Sequence, residues 1–488
     1  MSLKKNAIKG LKWTTIGTIG RSVFQLLQIS ILARYLPKEA FGLVAMALFV
    51  IQFSTIFVDM GMTSAILHRQ NATKKEYSSI YWLNIFIAVF LYGLLYLIAP
   101  FAATFYEETE LVILIPILGL NLLLLATGRQ HRTIMQKEFN FSAIAKIELL
   151  SYFIGLISAV LFAINGFDLY SLVYSTLIAS FISNALFLYL NLKKNPISLY
   201  FKLKDTKPFL KIGGYTMGSS LLDFFSREID VLIIGKMLGS ESLGLYSLAK
   251  QLVLKIYAII NPIILTVLSP ILSSIQNDKE RMKYYYLKVV RLLATVNFPI
   301  YLAVIVLSKE ILTILYGTEY EVGYLVLSFL AVSYAANSIS NPVGSLQIAT
   351  GRTDLGLKWT IFRLLVTPLI IFISAQFSVN AVAFALAILS IFLTFPLWYI
   401  QIKPMVHITL NEYLAQYIKP FLLLLFIASG FILINEFQFL PFGLIINSII
   451  KLLLAILIYT LLLWFIDRQR VNEIISLINS QLKKSNAS

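Results

Sequence analysis

Stretches of about twenty apolar residues recur along the whole chain, with only short polar segments between them. A helix rises about 1.5 Å per residue and the hydrocarbon core of a bilayer is about 30 Å thick, so each stretch can cross a membrane. The sequence predicts an all-α integral membrane protein, because 58% of its residues are hydrophobic and 13% are charged, against about 25% charged in soluble domains. The fourteen predicted spans are 13–34, 42–66, 80–103, 110–128, 142–164, 169–191, 212–238, 244–268, 289–311, 323–349, 360–378, 380–400, 421–437 and 442–466.

The polar segments alternate in charge along the chain. Of the 40 Lys and Arg residues, 30 lie in segments on the side of the N-terminus or at the adjoining ends of spans, and only Lys38 and Lys309 lie in or next to segments on the other side. Cytoplasmic loops of membrane proteins collect Lys and Arg, so both termini are predicted to be cytoplasmic. The net charge of +16 therefore indicates topology and anionic lipid headgroups, and we expect no nucleic-acid partner.

One short stretch occurs twice, as ARYLPKEAFGL at 33–43 and GKMLGSESLGL at 235–245. The offset is 202 residues, and both copies join two predicted spans at the outer side. A generic hairpin turn is the simpler explanation, since Gly and charged residues are common in turns. The positions favour a duplication instead, because each copy lies near the start of a set of six spans that run in the same direction.

Parallel repeats of this kind are a transporter architecture in which two bundles rock about a central cavity. We predict an N-terminal six-helix lobe over 1–200 and a C-terminal six-helix lobe over 201–405. Two additional helices and a cytoplasmic tail are predicted over 406–488.

The seventh predicted span carries four charged residues: Asp223, Arg227, Glu228 and Asp230. Positions 223, 227 and 230 are spaced i, i+4 and i+7 and share one helical face, which is too polar to face lipid. The face is either an ion-pair ladder between helices or a site that binds an anionic group through Arg227 and exchanges protons or cations at a carboxylate.

Other cations also lie within or next to spans. Arg21 is midway along the first span, and the offset of 202 makes it equivalent to Asp223, so the two are predicted to pair. Lys250 lies within the eighth span and Arg291 at the cytoplasmic start of the ninth, and both are candidates for substrate binding. The positive-inside rule alone explains cytoplasmic Arg residues; alternatively, they form a vestibule that attracts a phosphate-bearing substrate. The candidates there are Arg129, Arg132 and Arg281.

Several classes of chemistry are excluded or disfavoured by what the sequence lacks. The chain has no Cys and only three His, none in the HExxH spacing of zinc proteases, so no metal site and no catalytic site is predicted. It has no G-x-x-x-x-G-K-[ST] phosphate loop. Transport would then be driven by an H⁺ or Na⁺ gradient, by membrane potential or by the gradient of the substrate, with no cofactor.

Three stretches carry a family resemblance: ILARYLPKEAFGLVAMA (31–47), FVDMGMTSAILHRQNATKKEYSSIYWLN (57–84) and IMQKEFNFSAIAKIE (134–148). They are similar to the polysaccharide transporter family of bacterial O-antigen, capsule and teichuronic-acid flippases. This family belongs to a superfamily that also contains multidrug extruders and the lipid II flippase. The resemblance is clearest over the first 150 residues, continues at 209–250 and weakens toward the C-terminus.

The resemblance implies two six-helix lobes plus two further helices, in a V that alternates between inward-open and outward-open states in the bacterial inner membrane. It implies an undecaprenyl-pyrophosphate oligosaccharide as substrate, antiport coupled to protons or sodium in some members, and polymerase and chain-length proteins as partners. The charged cavity residues vary within the family, so the roles of Arg21 and Arg227 are expectations from their positions in this chain.

Two other functions remain as alternatives. A multidrug extruder of the same superfamily would need a smaller, more apolar cavity. A membrane enzyme of polysaccharide polymerisation usually has a large external loop with essential polar residues, whereas the predicted outer segments of this chain are all short.

Overall fold

The computed structural model describes residues 3–69, 71–434, 443–468 and 470. Within these residues the chain is helical, without strands. The first eight α-helices are α1 (Leu3–Leu32), α2 (Lys38–Asp59), α3 (Met62–His68), α4 (Lys74–Tyr106), α5 (Leu111–Lys137), α6 (Phe141–Ile164), α7 (Leu169–Leu192) and α8 (Leu203–Ser274). The next six are α9 (Lys279–Val306), α10 (Ser308–Tyr316), α11 (Tyr324–Ser338), α12 (Val343–Thr350), α13 (Thr353–Ala375) and α14 (Val379–Phe392). The last five are α15 (Thr394–Leu397), α16 (Lys403–Val406), α17 (Leu410–Ala415), α18 (Ile418–Ile434) and α19 (Leu444–Ile466). A 3-10 turn (Thr318–Gly323) precedes α11, and a π-helical turn (Trp398–Ile402) lies between α15 and α16.

Eleven helical segments in the described part of the chain are long and apolar enough to cross a membrane. The predicted multi-pass membrane protein is therefore confirmed, while the count of fourteen spans remains a prediction. One of the eleven, Leu203–Pro262, is 60 residues long and contains the predicted span 212–238 and most of the next one, 244–268. Residues 435–437 and 442 of the last two predicted spans, and the tail from 471 onward, lie outside the described residues.

The long run α8 consists of two helices that meet at Gly239. Gly239 has φ 78° and ψ −178°, a left-handed backbone conformation that a residue with a side chain rarely adopts. Sixteen residues of straight helix would separate Asp230 from Tyr246 by about 24 Å, yet the Tyr246 hydroxyl donates to Asp230 Oδ2 at 2.6 Å. The chain therefore doubles back at Gly239, as expected for a hairpin between two spans.

Contacts divide the chain into two compact units. The first unit comprises Met1–Leu248, Leu315–Gly317 and Arg363–Val379. In it α1 packs on α6, α6 on α7, and α5 on both α4 and α7. Small residues permit close helix approach: Gly128 of α5 lies against Asn184 of α7, and Gly155 of α6 against Ala179.

The second unit comprises Ala249–Ile314, Thr318–Phe362 and Asn380–Ser488. Helix α9 is its centre and packs against α11, α18 and α19. Its interior contains several fully buried tyrosine rings, those of Tyr286, Tyr301, Tyr320 and Tyr413. A capping box at Thr409 and Glu412 satisfies the first amide groups of α17.

Candidate functional site

A cavity of about 390 Å³ lies within the first unit, between α2, α5 and the first arm of α8, which is the part of α8 before Gly239. Its lining residues are Gln52, Thr55, Ile56, Asp59, Gly61, Arg129, Met217, Ser220, Asp223, Phe224, Arg227 and Glu228. The ring of Phe224 also packs on Phe49 and Phe53 of α2, with centroids 5.1 and 5.9 Å apart. An aromatic cluster thus borders one part of a cavity that is lined elsewhere by apolar Ile56 and Met217 and by polar and charged side chains.

The arginines of this cavity are held by carboxylates. Arg129 Nε lies 3.0 Å from Asp59 Oδ1, which joins α5 to the end of α2. Arg227 Nε lies 3.0 Å from Asp223 Oδ2 within the first arm of α8, and both side chains are more than half exposed. Three of the four charged residues of the seventh predicted span, Asp223, Arg227 and Glu228, therefore line this cavity. The predicted vestibule residue Arg129 lines it too.

A second charged cluster joins α1, α5 and α6. Arg132 lies 2.8 Å from Glu148, through Nη2 and Oε1, and its Nε donates to the same oxygen at 2.9 Å. Arg21 Nη1 lies 3.6 Å from Glu148 Oε2. The cluster contains two guanidinium groups and one carboxylate, so it retains one positive charge. The side chains of Arg21 and Arg132 are 35% and 39% exposed, which leaves room for a ligand.

The predicted pair of Arg21 and Asp223 does not form between these two described residues. Arg21 is paired with Glu148, and Asp223 with Arg227. The offset of 202 makes the positions equivalent in the two repeats, but equivalence alone does not bring two side chains within reach.

Asp230 and Lys250 are both buried, each 7% exposed. Asp230 accepts hydrogen bonds from the Tyr246 hydroxyl at 2.6 Å and from the backbone amide of Val231 at 2.9 Å. Asp230 therefore bonds within the α8 hairpin, whereas Asp223 and Arg227 pair with each other, although the three positions share one side of the helix.

The remaining predicted cations lie in the second unit. Arg291 Nη2 lies 3.8 Å from Asp467 Oδ1, and Arg470 Nε donates to Asp467 Oδ2 at 3.0 Å. Arg470 is 2% exposed, so this cluster ties the end of α19 to α9 in the interior. Arg281 is well exposed and pairs 3.4 Å away with Asp278, three residues earlier on the chain.

The two copies of the sequence repeat contact each other. A Cβ added at Gly42 would meet the backbone of Ser240, and one added at Gly244 would meet the backbone of Lys38. The offset of 202 makes Gly42 equivalent to Gly244 and Lys38 to Ser240, so the two contacts are reciprocal. Lys38 also pairs with Glu241 at 3.5 Å.

An ion pair lies next to this contact. Lys236 is 2.8 Å from Glu107, and this hydrogen bond and the lysine charge hold the pKa of Glu107 below its ordinary value. Within the described residues, no group of three His, Asp or Glu side chains is placed to hold a metal ion.

Two residues of these sites were not selected from the sequence. Glu148 joins Arg21 to Arg132, and it lies within the predicted span 142–164. The rule that an ionisable group in hydrocarbon needs a partner selects it as readily as it selects Arg21. Asp59 lies in the segment 57–84 that carries the family resemblance, but its position at the end of α2 gave no signal of a partner on α5.

The family model described as polysaccharide biosynthesis protein matches residues 31–323, which include the cavity and both repeat copies. The chain belongs to this family. The teichuronic acid biosynthesis protein TuaB of Bacillus subtilis (strain 168) is 31% identical over 425 residues, which cover 86% of this chain and 87% of TuaB. The lipopolysaccharide biosynthesis protein WzxC of Escherichia coli (strain K12) is 27% identical over 87% of this chain and 86% of its own length.

The fold also matches a solved transporter structure. The lipid II flippase MurJ, in an inward closed conformation, superposes with a TM-score of 0.76 over 94% of this chain and 100% of its own. Its sequence identity is 16%, so this likeness concerns the fold. The family predicted from the three sequence stretches is confirmed.

Proposed function

We propose that this chain is a flippase that moves undecaprenyl-pyrophosphate-linked oligosaccharide repeat units from the cytoplasmic to the outer leaflet. It would serve the biosynthesis of a surface polysaccharide such as O-antigen, capsule, exopolysaccharide or teichuronic acid. The observation that carries the proposal is the partly exposed cluster of Arg21, Arg132 and Glu148 inside a helical membrane unit. Relatives named for teichuronic acid and lipopolysaccharide biosynthesis support it.

The pyrophosphate group fits this cluster by charge and by geometry. A guanidinium group donates two parallel hydrogen bonds to phosphate oxygens, and the cluster has one positive charge in excess. The polyprenyl tail would stay in lipid, since it is apolar. Arg129 and Arg281 remain the predicted entrance from the cytoplasm, and Arg227, Lys250 and Arg291 are further predicted substrate contacts.

The family resemblance supports a proposal for movement and energy supply. Two six-helix lobes, 1–200 and 201–405, would rock in a V-shaped arrangement, with two additional helices and a cytoplasmic tail in 406–488. A carboxylate among Asp223, Glu228 and Asp230 would bind and release H⁺ or Na⁺ in step with the substrate, since a change of nearby charge or hydration alters the affinity of a carboxylate for a proton.

The proposal places the chain in the bacterial inner membrane with both termini in the cytoplasm, as its Lys and Arg distribution predicts. The chain acts there as a transporter and not as an enzyme. A polymerase and a chain-length protein would act on the units after translocation, which makes them candidate partners.

The test is to delete the gene in its native host and to locate the lipid-linked repeat units. We expect units on the cytoplasmic leaflet and loss of surface polysaccharide. Wild-type protein should restore the polysaccharide, and the Arg132→Ala variant, produced at the same level, should not. Arg352→Ala is the matched control, because Arg352 is exposed and pairs only with nearby Asp354 at 2.9 Å among the described contacts.

Two outcomes would contradict the proposal. Single repeat units displayed on the outer leaflet of the deletion strain would indicate a polymerase. Unchanged polysaccharide with altered drug tolerance would indicate an extruder.

A further inference from the structure

The cavity between α2 and α8 has the wrong charge for a pyrophosphate. Three of the charged side chains that line it are carboxylates and two are guanidinium groups. Both guanidinium groups already contact a carboxylate, Arg129 with Asp59 and Arg227 with Asp223, each at 3.0 Å. A pyrophosphate would have to displace these carboxylates and then remain close to them, which is unfavourable.

The same lining suits a sugar. Carboxylates accept hydrogen bonds from hydroxyl groups, and guanidinium groups donate to the same hydroxyl oxygens. Gln52 and Ser220 add neutral groups that both donate and accept, and the Thr55 hydroxyl, which donates to Ile51 O at 2.7 Å, adds an acceptor. Phe224, Ile56 and Met217 also line the cavity and supply apolar surface for the C–H face of a pyranose.

Size and position are also compatible with a sugar. The volume of about 390 Å³ lies within the usual range of small-molecule pockets. Arg129 of the cavity and Arg132 of the cationic cluster are three residues apart on α5, so they lie on the same face of one helix, about one turn apart. A ligand with a sugar joined to a pyrophosphate can therefore reach both.

We propose that this cavity is the saccharide subsite and that it selects a sugar residue without negative charge, while the pyrophosphate binds at Arg21 and Arg132. The inference rests on the proposed flippase function and divides its binding site into two parts. An acidic sugar, such as a uronic acid, would bring a fourth carboxylate into the cavity and would bind more weakly.

The test uses three short-tailed probes with the full-length protein in nanodiscs, and calorimetry gives the dissociation constants. The probes are farnesyl pyrophosphate, its glucosyl ester and its glucuronosyl ester. For the wild type, we expect the glucuronosyl probe to bind at least about tenfold more weakly than the glucosyl probe, a factor that one close pair of like charges readily supplies.

Two variants separate the subsites. In the double variant Asp59→Asn/Asp223→Asn, the glucuronosyl probe should bind as tightly as the glucosyl probe, or more tightly, because two of the three cavity carboxylates are neutralised, those that contact Arg129 and Arg227. Arg132→Gln should weaken all three probes by a similar factor and leave the ratio between the two sugar probes as in the wild type. Asp205→Asn is the matched control for loss of a carboxylate, because Asp205 is on α8 but outside the cavity lining. It should change neither the affinities for the probes nor the ratio between the two sugar probes.

The outcomes distinguish this inference from the proposed function. If the wild type binds all three probes with equal affinity, or prefers the acidic sugar, the cavity does not select an uncharged sugar and the inference is wrong. If the double variant keeps the wild-type ratio between the affinities for the two sugar probes, a group outside the cavity selects the sugar and the inference is also wrong. If the wild type binds none of the probes, the proposed function itself fails.

Discussion

The contact between the two repeat copies makes Gly42→Ala a demanding test of the structure. The added Cβ would lie 2.6 Å from the carbonyl carbon and 2.9 Å from the Cα of Ser240. Carbon atoms in ordinary contact are about 3.5–4.0 Å apart, so the two backbones must separate by about 1 Å. Neither backbone is a flexible side-chain end that can move aside, and overpacking of this kind costs typically about 1–3 kcal/mol.

The assay is thermal unfolding of the purified protein in one detergent, followed by intrinsic fluorescence. Gly42→Ala and Gly244→Ala should each lower the midpoint of unfolding. The double variant should lower it by less than the combined effects, because one separation of the segments relieves both clashes. Gly93→Ala is the matched control, since no atom lies within 4 Å of its added Cβ and Ala is the better helix former. Equal midpoints for Gly42→Ala and Gly93→Ala would refute the reciprocal contact.

Three further predictions concern charged groups away from the cavity. Hydrogen bonds from Lys283 and from Thr409, with which Glu412 forms the capping box, lower the pKa of Glu412 to about 2. The ionised carboxylate therefore stabilises the fold above its unfolded pKa near 4.5, and this stabilisation is lost as the pH falls toward 2. Glu412→Gln should accordingly lower the midpoint of thermal unfolding at pH 7. The difference in midpoint between the variant and the wild type should become smaller only below about pH 4.5. A difference that stays constant across this pH range would contradict the prediction. Arg470→Ala removes a buried guanidinium that donates to Asp467, while Arg291 stays 3.8 Å from the same carboxylate. The variant should destabilise the protein by about 1.5–3 kcal/mol, measured by detergent or denaturant titration. A change under about 1 kcal/mol would argue against the buried cluster. Tyr246→Phe removes the hydroxyl that donates to buried Asp230 and should cost about 1.5–3 kcal/mol in the same titration; a neutral effect would argue against that hydrogen bond.

Membrane class and family could be predicted from the sequence because their signals are local. A stretch of about twenty apolar residues is a signal in itself, and so is the motif around residues 57–84. The turn between spans 7 and 8 was also predictable, since its Gly-rich repeat copy contains Gly239.

Pairing partners could not be predicted, because they depend on which helices meet. Arg21 was recognised as an ionisable group within a span, but its partner Glu148 lies 127 positions later, on a helix that only the fold brings close. Asp223, Arg227 and Asp230 share a helical face in the sequence, yet Asp230 alone is buried, since the chain reverses at Gly239 and covers it with Tyr246.

The reciprocal contact of the repeat copies constrains which substitutions either copy can accept. Gly42 meets Ser240, the position equivalent to Lys38, and Gly244 meets Lys38, so each copy contacts the same part of the other, as in an isologous interface between identical subunits. Gly42 and Gly244 can each change to a larger residue only if the opposing copy makes room at the same time. Substitutions in 33–43 and 235–245 are therefore coupled, which favours keeping the glycine at the same position of both copies.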